Sequence, residues 1–301
     1  MRHLLDLFEL TPADIARVFE ISLQLKQKLR EGIREPLFPG RVMALIFEKP
    51  SLRTRVSFET AMVHLGGNTL FLGEDTGFGK RESTADFSRV LSSYVDVIVC
   101  RAFRHATVTT LAEHATCPVI NGLTDLAHPC QALADLLTLQ ELHGSLRGLK
   151  LAFVGDANNV AASLAVACAK TGVKFSVAAP RPYQFKESFL EQLRALDPAA
   201  LPYQSTDPRE VVEGADAVYT DVWTSMGQES ERGERLKAFA GYQVNESLMR
   251  LAPNARFLHC LPAHRGEEVT DGVLDGKQSV VVEQAANRMH AQKGLLAWLL
   301  R

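Results

Sequence analysis

Four short segments of this sequence combine residue types that bind anions, polarise carbonyls or hold amines. The first, Phe47-Glu48-Lys49-Pro50-Ser51-Leu52-Arg53-Thr54-Arg55, sets small hydroxyls and two arginines where an apolar run ends and a helix is expected to begin. A helix start leaves backbone N–H groups without partners and carries a partial positive charge, so it attracts anions. A planar guanidinium beside it adds a bidentate grip on phosphate oxygens. The same residues also suit a Ser-capped helix with two solvated arginines. The second segment, His128-Pro129-Cys130-Gln131, is a loop followed by a helix opened by Pro, which lets His and Gln face one cleft a turn apart. A lone His in a helix cap is more often structural, so this segment carries weight only in combination.

The other two segments lie in the second half. Asp221-Val222-Trp223-Thr224-Ser225-Met226-Gly227 follows an apolar run, and its Asp and Ser, four residues apart, could face one amino group; an Asp/Ser turn around a buried Trp reads equally well. His259-Cys260-Leu261-Pro262 offers a thiol beside an imidazole. Zinc held by His259, Cys260 and His264 is the competing reading, but adjacent His and Cys suit a closed tetrahedral site poorly and no second Cys/His pair is near. Gly155-Asp156-Ala157-Asn158-Asn159 occupies a strand-to-helix turn where a dinucleotide protein would carry its glycines. It lacks the second and third glycines that let a pyrophosphate approach, which argues against a nicotinamide cofactor.

Taken together these segments resemble the aspartate and ornithine carbamoyltransferase family, which carries S-T-R-T or S-G-R-T and H-P-x-Q. The likeness runs from Leu4-Leu5-Asp6-Leu7 to Val282-Glu283-Gln284-Ala285. It implies that Ser51, Leu52, Arg53 and Thr54 hold the phosphate of carbamoyl phosphate, joined by Arg101 and by Arg288 from the C-terminal helix. His128 would polarise the carbamoyl oxygen, Gln131 would bind the carbamoyl amide, and the carbonyls of Cys260 and Leu261 would accept its N–H bonds. The D-x-x-x-S-M-G segment resembles the ornithine-specific members. It implies that Asp221, Ser225, Met226 and Asn159 bind L-ornithine, with Cys260 and Asp221 beside the attacking amine. The implied reaction makes citrulline and phosphate in arginine metabolism, through Cys260, Asp221, Arg101 and His128, with no metal and no cofactor. The family also implies a homotrimer or an assembly of trimers. Two positions depart from its pattern: Leu52 stands where Thr or Gly is usual, and Gly77 stands where ornithine enzymes often carry Gln.

Elements of regular structure must position these segments. Thr11-Pro12 and the spacing Ile15, Val18, Phe19, Leu23 predict a helix to about Arg30. Val42 to Phe47, bounded by Gly40 and Pro50, predicts a buried strand. Strand near Thr69 to Leu72, helix from Ser83, strand Val95 to Cys100, helix from His105, strand near Val119 and helix Pro129 to His143 follow. After Gly144-Ser145 the alternation restarts: strand Leu149 to Val154, helix Val160 to Thr171, strand Lys174 to Ala178, then strands Ala217 to Thr220, Arg256 to Leu258 and Val280 to Val282. Such alternation predicts an α/β protein of two domains, each a parallel sheet flanked by helices, with the active site in the interdomain cleft. The expected domains are residues 1–143, for carbamoyl phosphate, and 144–301, for ornithine. The apolar-ended segment 284–301 is expected to be an amphipathic helix docking back on the first.

Composition narrows the classes. The 301 residues are 46% apolar and 23% charged, as in ordinary globular proteins, and their number favours two domains. A formal net charge of -2 and the lack of a basic run interleaved with aromatics argue against nucleic acid. No apolar run approaches the roughly 18 residues that cross a bilayer, and Asp6 and Glu9 stand where a signal peptide would be apolar, so a cytoplasmic protein is expected. Cys100, Cys117, Cys130, Cys168 and Cys260 form no C-x-x-C pair and read as reduced thiols.

Overall fold

The structure, a computed structural model, describes residues 2–73, 78, 81–225, 227 and 229–301. The chain divides into two compact units: Met1–Leu137 with Ala286–Arg301, and Thr138–Ala285.

In unit 1, strands β1 (Val42–Phe47), β2 (Asn68–Leu72), β3 (Val97–Arg101) and β4 (Val119–Leu123) form one parallel sheet in the order β2-β1-β3-β4. β1 reads as a continuous apolar run because five of its six residues are buried, as in sheets covered on both faces. The order reverses between β1 and β3, whose register pairs Phe47 with Arg101. The helices are α1 (Pro12–Arg30), α2 (Leu52–His64), α3 (Thr84–Ser92), α4 (His105–His114) and the start of α5 (Pro129–His143). Each of the first three starts at a hydroxyl cap: Thr11, whose capping box with Asp14 is complete, then Ser51 and Ser83. Ile46, Ile98, Val108, Leu111 and Val119 belong to one core cluster of this unit.

The last helix, α12 (Val281–Leu299), carries its residues from 286 onward into unit 1. Its Asn287 Oδ1 accepts from Lys26 Nζ at 2.7 Å, and Lys293 Nζ donates to the Leu25 carbonyl at 3.4 Å. Gly294 allows the close approach to α1: a Cβ there would stand 2.0 Å from Ser22 Oγ and 2.5 Å from the Val18 carbonyl oxygen. One expectation is corrected at the head of this helix. Val280 to Val282 is not a strand; only Ser279 bridges Phe257, and the Val280 carbonyl already accepts from the Gln284 amide, so the helix starts at Val281. Three β-branched residues favour a strand locally, but the helix is set by this bonding and not by propensity.

In unit 2, β5 (Lys150–Val154), β6 (Lys174–Ala178), β7 (Tyr203–Ser205), β8 (Ala217–Thr220) and β9 (Arg256–His259) form a parallel sheet in the order β7-β6-β5-β8-β9. The chain winds outward from β5 to β7, then returns to β8, so the order reverses between β5 and β8. Helices α6 (Asn159–Thr171), α7 (Glu187–Leu196), α8 (Pro208–Val212), α9 (Arg232–Ala238), α10 (Glu246–Met249) and α11 (Asp271–Leu274) complete it. The last five, and β7, are elements the sequence reading did not single out. Ala152, Val154, Val218, Phe257 and Phe239 centre its core.

Candidate active site

In open parallel sheets, ligands bind outside the carboxyl ends of the strands where strand order reverses, because the loops on either side diverge there. Both units place candidate residues at such a point.

In unit 1 the point lies between the ends of β1 and β3. The chain leaving β1 reaches Ser51, whose hydroxyl accepts from the Thr54 amide at 3.3 Å and opens α2. Thr54 is buried, and its Oγ1 lies 3.5 Å from Arg101 Nη1 and 3.4 Å from Arg288 Nη2. Arg101 is the last residue of β3, and Arg288 comes from α12. Arg288 Nη1 donates to Gln131 Oε1, and Gln131 Nε2 donates to Asp135 Oδ1 at 2.7 Å. Thr54, Arg101, Gln131 and Arg288 are thus linked through unit 1 hydrogen bonds. Arg53 is half-buried at the second position of α2, and Leu52 is 75% exposed.

His128 precedes Pro129 and is 4% exposed. Burial, then the positive charges of Arg288, Arg101 and Lys49, hold its pKa well below the usual imidazole value, so the ring is neutral at neutral pH. Lys49 was not singled out by the sequence reading. It too is buried, and burial followed by Arg101 lowers its pKa. Its place two residues before Ser51, in a loop already read as an anion site, was the available signal. Guanidinium groups, an ammonium and helix-start amides around a neutral imidazole make a pocket for a small anion carrying a carbonyl.

In unit 2 the point lies between the ends of β5 and β8. Gly155, at φ 138°, turns the chain out of β5 in a conformation that disfavours a side chain. Asn158 then caps α6, accepting from the amides of Val160 and Ala161, while its Nδ2 donates to Asp221 Oδ2 at 2.8 Å. Asp221 follows β8 and is 7% exposed; Cys260 Sγ donates to its Oδ1 at 3.0 Å. Asn159 is half-buried at the first position of α6, and Ser225 is half-buried. Met226, like Gly77, lies outside the described residues. Arg235 Nη1 donates both to Asp156 Oδ2 at 2.7 Å and to the Trp223 carbonyl at 3.1 Å, tying the β5 loop to the β8 loop.

Leu261 takes φ 59°, a left-handed conformation costly for a branched aliphatic residue, ahead of a cis bond to Pro262. Its amide donates to His259 Nδ1 at 2.9 Å, and His259 Nε2 lies 3.2 Å from Glu268 Oε1. Asp221, His259 and Cys260 are close enough to hold a metal ion, as are His264, Glu267 and Glu268. However, both ring nitrogens of His259 are engaged: the Leu261 amide points its hydrogen at Nδ1, which leaves Nε2 to carry the proton toward Glu268. A ring used this way supports the turn at Leu261 and offers no lone pair to a metal. No helix among the described residues is long and apolar enough to cross a membrane.

Comparison with known proteins adds two matches to family models. Residues 2–141 match the carbamoyl-P binding domain of aspartate/ornithine carbamoyltransferase, and residues 147–299 match its Asp/Orn binding domain. The chain is 50% identical over 303 residues to an ornithine carbamoyltransferase of Anoxybacillus flavithermus, covering 99% of this chain and 96% of the relative. An anabolic ornithine carbamoyltransferase of Pyrococcus furiosus is 48% identical over 303 residues, with 99% and 96% covered. Among solved structures, ornithine carbamoyltransferase from Pyrococcus furiosus superposes with a TM-score of 0.96 at 47% identity, covering 99% of this chain and 97% of that one. The enzyme from Thermus thermophilus gives 0.90 at 45% identity, with 99% of each chain covered.

Proposed function

The chain belongs to the aspartate/ornithine carbamoyltransferase family, and from that premise we propose that it transfers the carbamoyl group of carbamoyl phosphate to the δ-amine of L-ornithine, giving L-citrulline and phosphate. The observation that carries the choice of acceptor is the pairing of Cys260 with Asp221, in a segment reading D-x-x-x-S-M-G.

The amine must be neutral to attack. With a reference pKa near 10.4 for an alkylamine, about one molecule in a thousand is deprotonated near pH 7.4, a cost of about 4 kcal/mol at 1.36 per unit. In this reading Asp221 and Ser225, with Asn159 and Met226, hold the amino-acid end of ornithine. Cys260 and Asp221 lie beside the δ-amine, and the cations of the phosphate pocket favour its neutral form. Arg53, Arg101, Arg288 and Lys49 offset the phosphate charge, helped by the amides and hydroxyls of Ser51, Leu52 and Thr54. The neutral His128 donates a hydrogen bond to the carbamoyl oxygen, Gln131 Oε1 accepts from the carbamoyl N–H, and the carbonyls of Cys260 and Leu261 accept as well. The δ-nitrogen bonds to the carbonyl carbon, and the oxyanion is stabilised by Arg101 and His128. The carbon–oxygen bond to phosphorus then breaks, and phosphate leaves with the proton of the amine. Positioning and fixed charges supply the rate, with no metal or cofactor in any step.

The assembly proposed is a homotrimer or a set of trimers. Leu52 and Val56 lie one turn apart on α2 and are exposed, as are Leu70 and Phe71 on the edge strand β2. Apolar side chains gathered on an edge strand and its helix suit coverage by another copy. Exposure of Leu52 suits this contact better than phosphate binding by its side chain. The five cysteines are free, which suits a cytoplasmic enzyme.

The test compares ornithine, N-acetylornithine, putrescine and aspartate as acceptors in one assay. Ornithine is expected to exceed the others by roughly 100-fold or more in kcat/KM. A faster reaction with aspartate, or none with ornithine, refutes the proposal.

A further inference from the structure

Asp135 is buried completely in α5, one turn beyond Gln131, where a carboxyl group is costly unless it is hydrogen-bonded. What it touches is informative. Its Oδ1 accepts from Gln131 Nε2, while on the far side of the same amide Arg288 Nη1 donates to Gln131 Oε1. A guanidinium can only donate, so the group of Gln131 that faces Arg288 is its oxygen, and the amide has one orientation. Its nitrogen faces Asp135, and its oxygen faces Arg288.

An amide oxygen has two lone pairs, and Arg288 engages one. The second lone pair can accept from whatever occupies the pocket, while the nitrogen is held on the Asp135 side. Resting on the function proposed above, we propose that Asp135 is a positioning residue that sets the acyl-group specificity of the site, turning Gln131 so that it accepts from the –NH2 of a carbamoyl group and offers nothing to the methyl of an acetyl group. Arg288 shares the orienting task, but its other Nη lies against Thr54 among the cations that meet the phosphate, so a bound dianion competes for it. Asp135 holds the nitrogen end of the amide, away from Arg288 and Thr54, and anchors it throughout.

Carbamoyl phosphate and acetyl phosphate carry the same phosphate and differ at one substituent. Any effect of Asp135 on pocket charge, on the grip of Arg288 or on folding alters both ligands alike and cancels in their ratio. The experiment measures KM for carbamoyl phosphate and the competitive inhibition constant of acetyl phosphate, with ornithine saturating, for the wild type, Asp135→Asn and Asp135→Ser. Asn can donate as well as accept, and Ser is too short to reach, so each releases the amide. The preference for carbamoyl over acetyl is expected to fall by roughly tenfold, the scale of one hydrogen bond. If both constants rise together and the preference stays at the wild-type value in whichever variant gives a cooperative melting transition, Asp135 is only structural and the inference is overturned. A wild type that makes no citrulline removes the function proposed above and this inference with it, whereas an active wild type with an unchanged preference removes the role of Asp135 alone.

Discussion

The thiol of Cys260 donates to one oxygen of Asp221 at 3.0 Å, while the amide of Asn158 donates to the other at 2.8 Å. Three segments, the ends of β5, β8 and β9, thereby meet on one carboxylate, whose remaining lone pairs suit an amino group. Because Cys260 is the donor, removing its sulfur takes away one hydrogen bond to the carboxylate that is proposed to meet the amine. Cys260→Ala is expected to lower kcat by roughly 10²-fold or more, the scale of a lost proton-handling group, with KM for carbamoyl phosphate within about threefold. Steady-state kinetics in both substrates checks this; unchanged turnover removes Cys260 from the chemistry.

Arg235 ties the loop after β5 to the loop that begins at Asp221, through Asp156 and the Trp223 carbonyl. Its guanidinium is almost fully buried between Asp156 and the Trp223 carbonyl, and burial is the main cause that raises the Asp156 pKa, with Arg235 acting against it. Arg235→Met leaves a buried carboxylate without its cation. The expected loss is about 3 kcal/mol in urea unfolding. KM for ornithine should rise in a folded sample and KM for carbamoyl phosphate should not, because the clamp lies beside Asn158 and Asp221.

Much of this fold was legible because buried parallel strands have few alternatives. Val42 to Phe47 is an apolar run bounded by breakers, Lys174 to Ala178 lies between Gly172 and Pro180, and Pro129 to His143 begins at a Pro and stops before Gly144; the structure has each over the range read. The head of α12 misled because three valines mimic a strand, and α7 to α11 are mostly too short to show a period. The candidate site was legible as residue types at helix starts and strand ends. Its supporting residues were not: Asn158 and Arg235 meet partners that only folding brings near, Arg235 to Asp156 across 79 positions, and the contact of Asp135 with Gln131 gains meaning only once folding brings Arg288 to the same amide. Lys49 stands in the same segment as Arg53 and Arg55, and nothing in its type or spacing marks it out from them.

His128 gives a pH prediction. Its folded pKa lies below the unfolded value near 6.5, so the unfolded chain binds the extra proton first on acidification. Its contribution to stability is complete above about pH 6.5 and is lost as pH falls toward the folded value, at up to about 1.4 kcal/mol per pH unit. His3 and His64 shift the same way, chiefly through burial, and keep their share. Unfolding of His128→Gln at pH 5.5 and 7.5 should show a smaller difference than in the wild type; an equal difference contradicts the buried neutral imidazole.

Gly294 gives a packing prediction. Ala is the better helix former by about 1 kcal/mol, yet its Cβ would overlap Ser22 Oγ and the Val18 carbonyl. Overpacking typically costs about 1–3 kcal/mol, so Gly294→Ala should destabilise the protein on balance. Adding Ser22→Ala should restore only part of the loss, since the carbonyl remains. Thermal unfolding of the single and double variants checks both.

The central claim is that one bond forms between the carbamoyl carbon and the side-chain nitrogen of ornithine. NMR of the product from carbonyl-13C carbamoyl phosphate and δ-15N ornithine tests it directly. The account predicts a one-bond coupling between the ureido carbon and the labelled nitrogen, with phosphate released in equal amount. Recovery of the carbon label on the α-amino group, or of phosphate without any carbon–nitrogen coupling, would contradict it.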